Sequence, residues 1–134
     1  MNRTIGQKEF IVKHINALAD FSPIKTPTGN KLIELVGLAN GHFDKNLSFA
    51  HIRIPPHSED PYHYHPTLTE LYYILEGSCH IDLDGEKSKI KPGDCIHIPP
   101  LVKHKLINDS DEELVLLAIC SPAWTEKGEV PVPE

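Results

Sequence analysis

From about residue 31 to residue 120 the chain alternates apolar and polar positions in short runs with a period of two. Runs of this kind predict half-buried β-strands rather than helices. Upstream, "KLIELV" and "LSFAHIRI" read as strands joined by a loop containing Gly37 and Gly41. Downstream come "LYYIL", "SCHIDL", "CIHI", "HKLI" and "ELVLLAIC", separated by Glu76-Gly77, Asp84-Gly85, Pro92-Gly93-Asp94, Pro99-Pro100 and Asn108-Asp109-Ser110. Gly77, Gly85 and Gly93 are each eight residues apart, the rhythm of consecutive antiparallel strands. Twelve prolines disfavour long helices.

Alternation also assigns faces. Glu70, Tyr72 and Ile74 share one side; Leu71, Tyr73 and Leu75 share the other, and both are apolar enough to predict cover on both sides. Cys79, Ile81 and Leu83 form an apolar face against His80 and Asp82. Before the histidine-rich stretch, either Ala50, Ile52 and Ile54 or His51 and Arg53 face inward. The apolar set is the commoner choice; the other would let Arg53 grip a substrate carboxylate or phosphate. "EFIVKHINALADF" supports two readings, a helix with Phe10, Ile11, Ile15 and Leu18 on one face, or an edge strand followed by a turn. The tail "TEKGEVPVPE" reads as loose or draped over a neighbour. The fold class is all-β, a sandwich or barrel.

With 134 residues, 40% hydrophobic and 24% charged, the chain is expected to form one domain, residues 1–134, with an ordinary buried core. No run reaches the roughly 18 apolar residues of a membrane span. "MNRTIGQKEF" has no secretory apolar core, so a cytoplasmic location is expected. The net charge of −6, with scattered Lys and Arg, argues against nucleic-acid partners. Cys79, Cys95 and Cys120 form no CxxC pair and read as core residues.

Nine histidines are many for this length, and four lie between residues 51 and 65. His14, His42 and His80 read as surface residues. In "DPYHYHPTLTELYYILEG", His63 and His65 are two apart and so project from one face of a strand, roughly 6–7 Å apart. A bend at Pro66–Thr69 lets Glu70 return to the same point. Two imidazoles and a carboxylate make a metal-binding set. In the second half, "GDCIHIPPLVKHKLIN" offers Gly93, Pro99, His104 and Asn108. His97 is not counted, because alternation around Ile96 and Ile98 turns it outward as readily as inward.

These two stretches resemble the cupin family. Its first motif, GX5HXHX3–4EX6G, is matched at His63, His65, Glu70 and Gly77. Its second, GX5PXGX2HX3N, is matched at Gly93, Pro99, His104 and Asn108. Two positions depart: His57, with Asp60 nearby, stands where the first motif opens on glycine, and Leu101 replaces the glycine after Pro99. Both departures bear on loop shape rather than on ligands. The resemblance covers about residues 45–120, with residues 8–36 as an N-terminal strand or helix segment.

It implies a double-stranded β-helix, or jelly-roll barrel, holding a divalent metal ion on His63, His65, Glu70 and His104. Three imidazoles and one carboxylate without thiolate suit Fe, Mn, Ni, Co or Zn, with two adjacent positions left open on a six-coordinate ion. The resemblance also implies a small-molecule ligand and a homodimer paired through barrel edges or swapped N-terminal strands, with residues 8–20 in that contact. Family members include dioxygenases, isomerases, lyases and non-catalytic binding proteins. Dioxygenase-type chemistry on a small polar organic molecule is the first expectation; a sugar isomerase or lyase, or a non-catalytic binding module, is the alternative. Tyr72 is placed beside Glu70, either to donate to a substrate or to fill the barrel. Trp124, beyond the last strand, either caps a barrel mouth or packs in an interface, and the interface is the first reading.

Overall fold

The computed structural model describes residues 2–5, 8–11 and 14–134. In chain order the strands are β1 (Asn2–Ile5), β2 (Lys8–Ile11), β3 (Ile24–Lys25), β4 (Lys31–Gly37), β5 (His42–Phe43), β6 (Ser48–Ile54), β7 (Ser58–Glu59) and β8 (His63–Tyr64). They continue as β9 (Thr69–Glu76), β10 (Cys79–Leu83), β11 (Glu86–Ile90), β12 (Cys95–Ile98), β13 (His104–Asn108), β14 (Leu114–Ser121) and β15 (Val130–Pro131). A single helical turn, α1 (Ala17–Asp20), precedes β3.

Two sheets carry the molecule. One has the order β12-β9-β14-β6-β4-β3, with β5 beside β4; the other has the order β11-β10-β13-β8-β15, with β7 beside β13. All pairings are antiparallel except that of β4 with β5. This is the expected double-stranded β-helix. Between the sheets lie Ile54, Ile74, Ile81, Ile98, Leu106, Leu114 and Leu116, each about fully buried. They come from the inward positions that alternation selects.

Ala50, Ile52 and Ile54 are the inward set of β6, since all three line the barrel cavity. Arg53 points out and pairs with Glu113 at 2.8 Å. Two face assignments need correction. Tyr73 and Leu75 are 43% and 38% exposed, so the second face of β9 is open to solvent. Asp82 is buried, because it accepts hydrogen bonds from the Tyr62 hydroxyl at 3.2 Å and the Gly85 amide at 2.8 Å. The expectation of core cysteines holds for Cys79 and Cys120 and fails for Cys95, which is exposed on β12 beside the outward His97.

The N-terminal segment divides between its two readings. β2 pairs with β1 in a separate two-stranded sheet, and α1 is one turn, so no continuous helix carries Phe10 to Leu18. Val12 and Lys13 lie outside the described residues. Among the described residues no helix is long and apolar enough to cross a membrane.

Gly77 shows why the first motif ends on glycine. Its φ is +82°, and a Cβ there would stand 2.6 Å from the Glu113 carbonyl oxygen. The residue lets β9 turn tightly under the start of β14.

Candidate metal centre

His63 opens β8, His65 follows it, Glu70 lies on β9 and His104 opens β13. β8 and β13 are neighbours, with His63 opposite His104, whereas β9 belongs to the other sheet. The barrel therefore closes the two sheets around these four side chains. All four are buried, His104 completely, and one ligand atom from each lies within 4.8 Å of all the others. Such a cluster could hold a metal ion.

The ring orientations sharpen that statement. His63 Nδ1 lies 2.8 Å from the Pro61 carbonyl, His65 Nδ1 3.3 Å from that of Gly128, and His104 Nδ1 2.9 Å from that of Val102. A carbonyl only accepts, so each Nδ1 carries the proton and donates. Each neutral ring then turns an Nε2 lone pair inward. Those lone pairs converge on the Glu70 carboxylate: Oε1 is 3.1 Å from His104 Nε2 and 3.4 Å from His65 Nε2. His65 Nε2 is buried without a hydrogen-bond partner among the described residues. Lone pairs facing a carboxylate repel unless protons or a cation lie between them. The donor set fits a divalent ion of the nitrogen- and oxygen-liking kind.

Glu70 is oriented from behind. The Cys120 thiol donates to its Oε2 at 3.3 Å, leaving Oε1 for the imidazoles. Burial alone would raise the Glu70 carboxyl, yet His104 and His65 outweigh it and hold the pKa at about 2. Burial lowers His63, against the pull of the Glu129 carboxylate. Burial opposes charge on His65 too, but Glu70 and Glu129 prevail and raise it.

These directions set a pH dependence. Protons compete with a cation for the same Nε2 atoms, first at the raised His65 and then at the lowered His63. As the pH drops, divalent-ion affinity is therefore expected to begin falling above the ordinary imidazole value near 6.5, where His65 takes its proton, and to go on falling below it, by about tenfold or more per unit. Metal content after dialysis at pH 7.5 and at pH 5 checks this, and an unchanged content at pH 5 counts against an imidazole site.

The cluster opens on a cavity of about 440 Å³. His63, Glu70 and Tyr72 share its wall with apolar Ile24, Leu32, Ala50, Ile52, Ile54 and Ala118. Tyr72 is buried with its ring 6.2 Å from that of His104. Burial, and after it the Glu70 carboxylate, push its pKa well above the phenol range, so the hydroxyl keeps its proton. Arg53 and His97 both lie outside, away from the site.

Sequence reasoning missed the C-terminal contribution. The tail is neither loose nor laid on a neighbour: β15 pairs with β8, placing Pro131 opposite His63, and the Val132 amide donates to the Tyr62 carbonyl at 2.8 Å. The Gly128 carbonyl that fixes His65 belongs to this strap. Trp124 lines the cavity. Its indole N–H donates to Glu129 Oε1 at 3.1 Å. That oxygen stands 3.6 Å from His63 Nε2 and 4.0 Å from His65 Nε2. The available signal was Trp124, a large side chain just beyond a closing strand.

Comparison with known proteins agrees with the fold and the motifs. The family described as Cupin domain matches residues 50–120. MJ1618, an uncharacterized protein of Methanocaldococcus jannaschii, is 39% identical over 105 residues, which are 78% of this chain and 83% of that one. Quercetin 2,3-dioxygenase of Bacillus subtilis is 40% identical over 48 residues, 36% of this chain and 14% of that protein. Among solved structures, the polyketide cyclase RemF of Streptomyces resistomycificus superposes with a TM-score of 0.75 at 18% identity, covering 92% of this chain and 87% of that one.

Proposed function

The chain belongs to the cupin family, and from that premise we propose that it is a metal-dependent enzyme, of dioxygenase type, acting on a small molecule with an apolar body and a chelating oxygen-bearing end. The observation that carries this reading is the junction of two surfaces: three inward Nε2 atoms and a carboxylate meet a mostly apolar cavity of about 440 Å³. The expected small polar substrate thus becomes one that is polar at one end only. The stretch of likeness to a quercetin dioxygenase supports oxidation over sugar chemistry, while covering only 14% of that enzyme.

His63, His65, Glu70 and His104 would hold the ion, iron being the redox-active choice among those the donor set suits. Such an ion supplies Lewis acidity and, as iron, electron transfer. The protein's own part is to orient and to exclude water. The apolar wall would seat the body of the substrate, and Tyr72, which keeps its proton, would donate a hydrogen bond to a substrate oxygen. Pairing as a homodimer belongs to the same proposal. The β1–β2 pair, which forms a sheet of its own, is the contact, and a mass in solution of twice 15.0 kDa checks it.

The test is a thermal-shift screen of apolar diols, ketols and flavonols against the iron-, manganese- and nickel-loaded protein, followed by an oxygen electrode. Oxygen uptake by the iron form in step with substrate loss is expected. A ligand that raises the melting temperature with neither oxygen uptake nor any product would instead mark a non-catalytic binding protein.

A further inference from the structure

The C-terminal strap brings a second carboxylate to the cluster, outside both motifs. Glu129 Oε1 is 3.6 Å and 4.0 Å from the Nε2 atoms of His63 and His65, whose Nδ1 protons are committed to carbonyls. Atoms that share one cation at bonds of about 2.0–2.2 Å stand roughly 3–4.4 Å apart. Glu129 meets that range toward His63 and His65 but is not among the four residues whose ligand atoms all lie within 4.8 Å of one another, so its carboxylate must swing inward to complete the set. Glu129 lines the cavity and is 39% exposed in its side chain, so it approaches from the open side and not from the packed core. Its position is built rather than incidental. Trp124 Nε1–H holds the same oxygen, the Thr125 hydroxyl accepts from the Gly128 amide at 3.0 Å, and β15 anchors the strap immediately after Glu129.

We propose that Glu129 is a fifth protein ligand of the metal centre, supplied by the C-terminal strap. The proposal rests on the reading of His63, His65, Glu70 and His104 as a metal site. Glu129 adds a second carboxylate, so the protein would neutralise a divalent ion fully. It leaves one position open on a six-coordinate ion where the two motifs alone would leave two. A substrate that binds through two oxygens must then displace the strap's carboxylate, which couples chelation to movement of the segment carrying Trp124.

Cobalt(II) titration of the full-length metal-free protein at pH 7.5, followed by visible absorption, tests this with Glu129→Gln and Glu129→Asp. Aspartate keeps the charge nearby but withdraws the carboxylate by one bond, so it separates ligation from simple attraction. Ligation predicts that both variants bind cobalt more weakly by about 100-fold or more, beyond what loss of a group behind the ligands costs, and with altered absorption bands, while metal-free melting temperatures stay unchanged. Wild-type affinity and spectrum in Glu129→Asp would overturn the assignment, as would an unaffected Glu129→Gln. If the wild-type chain itself bound no cobalt, the four-ligand reading would fail, an outcome distinct from failure of Glu129 alone.

Discussion

Alanine at His104 is expected to lower divalent-ion affinity by about 100-fold or more, exceeding the 10–100-fold that loss of a group behind the ligands typically costs. His104 is the one second-motif side chain in the cluster, and it is completely buried. Its Nδ1 is fixed on Val102, so its Nε2 has a single direction, toward Glu70 Oε1 at 3.1 Å. No other imidazole can reach that point, because the remaining two are held on Pro61 and Gly128. Removing the completely buried ring leaves a void and takes the Nδ1 donor from the Val102 carbonyl, so the metal-free variant is expected to melt lower as well. Metal titration at pH 7.5 reads the first effect. Wild-type affinity in His104→Ala would remove the ring from the site.

Alanine at Asn108 is expected to lower stability by about 3 kcal/mol or more while leaving the ligand atoms in place. Asn108 is 1% exposed and uses its whole side chain. Its Nδ2 donates to the carbonyls of Ile54, Pro55 and Glu112 at 3.2, 3.1 and 2.8 Å. Its Oδ1 accepts from the Ser110 amide at 3.2 Å and the Ser110 hydroxyl at 2.7 Å. The residue thus ties the end of β6 and the β13–β14 turn together. Alanine leaves the buried Ile54 carbonyl without a partner, takes the amide from the part-buried carbonyls of Pro55 and Glu112, and opens a void where the side chain sat, each at about 1 kcal/mol. Chemical denaturation reads the loss, and a change below about 1 kcal/mol would show that the network closes again without the amide.

Asn108 and Gly77 also show which parts of the motifs were legible and why. Their spacing marked the positions, but the reasons, carbonyls contributed by β6 and by the start of β14, depend on strands far away in sequence. His63, His65 and Glu70 were legible because strand alternation and one short spacing bring them to one point, whereas His104 was legible only through the resemblance to the second cupin motif. Their backbone carbonyl partners were not, since any residue can supply a carbonyl. Glu129 was illegible for a related reason: it follows His63 by 66 positions in a polar, proline-containing tail, and only the pairing of β15 with β8 brings it back.

β11 escaped notice because "EKSKI" buries only Ile90 and has no apolar alternation. What makes it a strand is the turn before it, where Asp84 and Gly85 have φ of 52° and 92°, the left-handed pair that favours a tight hairpin. The two departures from the cupin motifs bear on loops, and there the backbone keeps the conformation that glycine would adopt freely. His57 and Leu101 have φ of 54° and 75°, at a cost on the order of 1–2 kcal/mol each. Leu101 still donates its amide to the His65 carbonyl at 2.8 Å, so the loop stays fastened to the metal-binding stretch.

The account stands on one shared cation between the two sheets, and anomalous diffraction from crystals of the zinc-loaded protein tests it most directly. The prediction is a single strong site per chain, bonded at about 2.0–2.2 Å to Nε2 of His63, His65 and His104 and to an oxygen of Glu70. A zinc peak bound elsewhere on the surface, with these four side chains left as they are without metal, would contradict it.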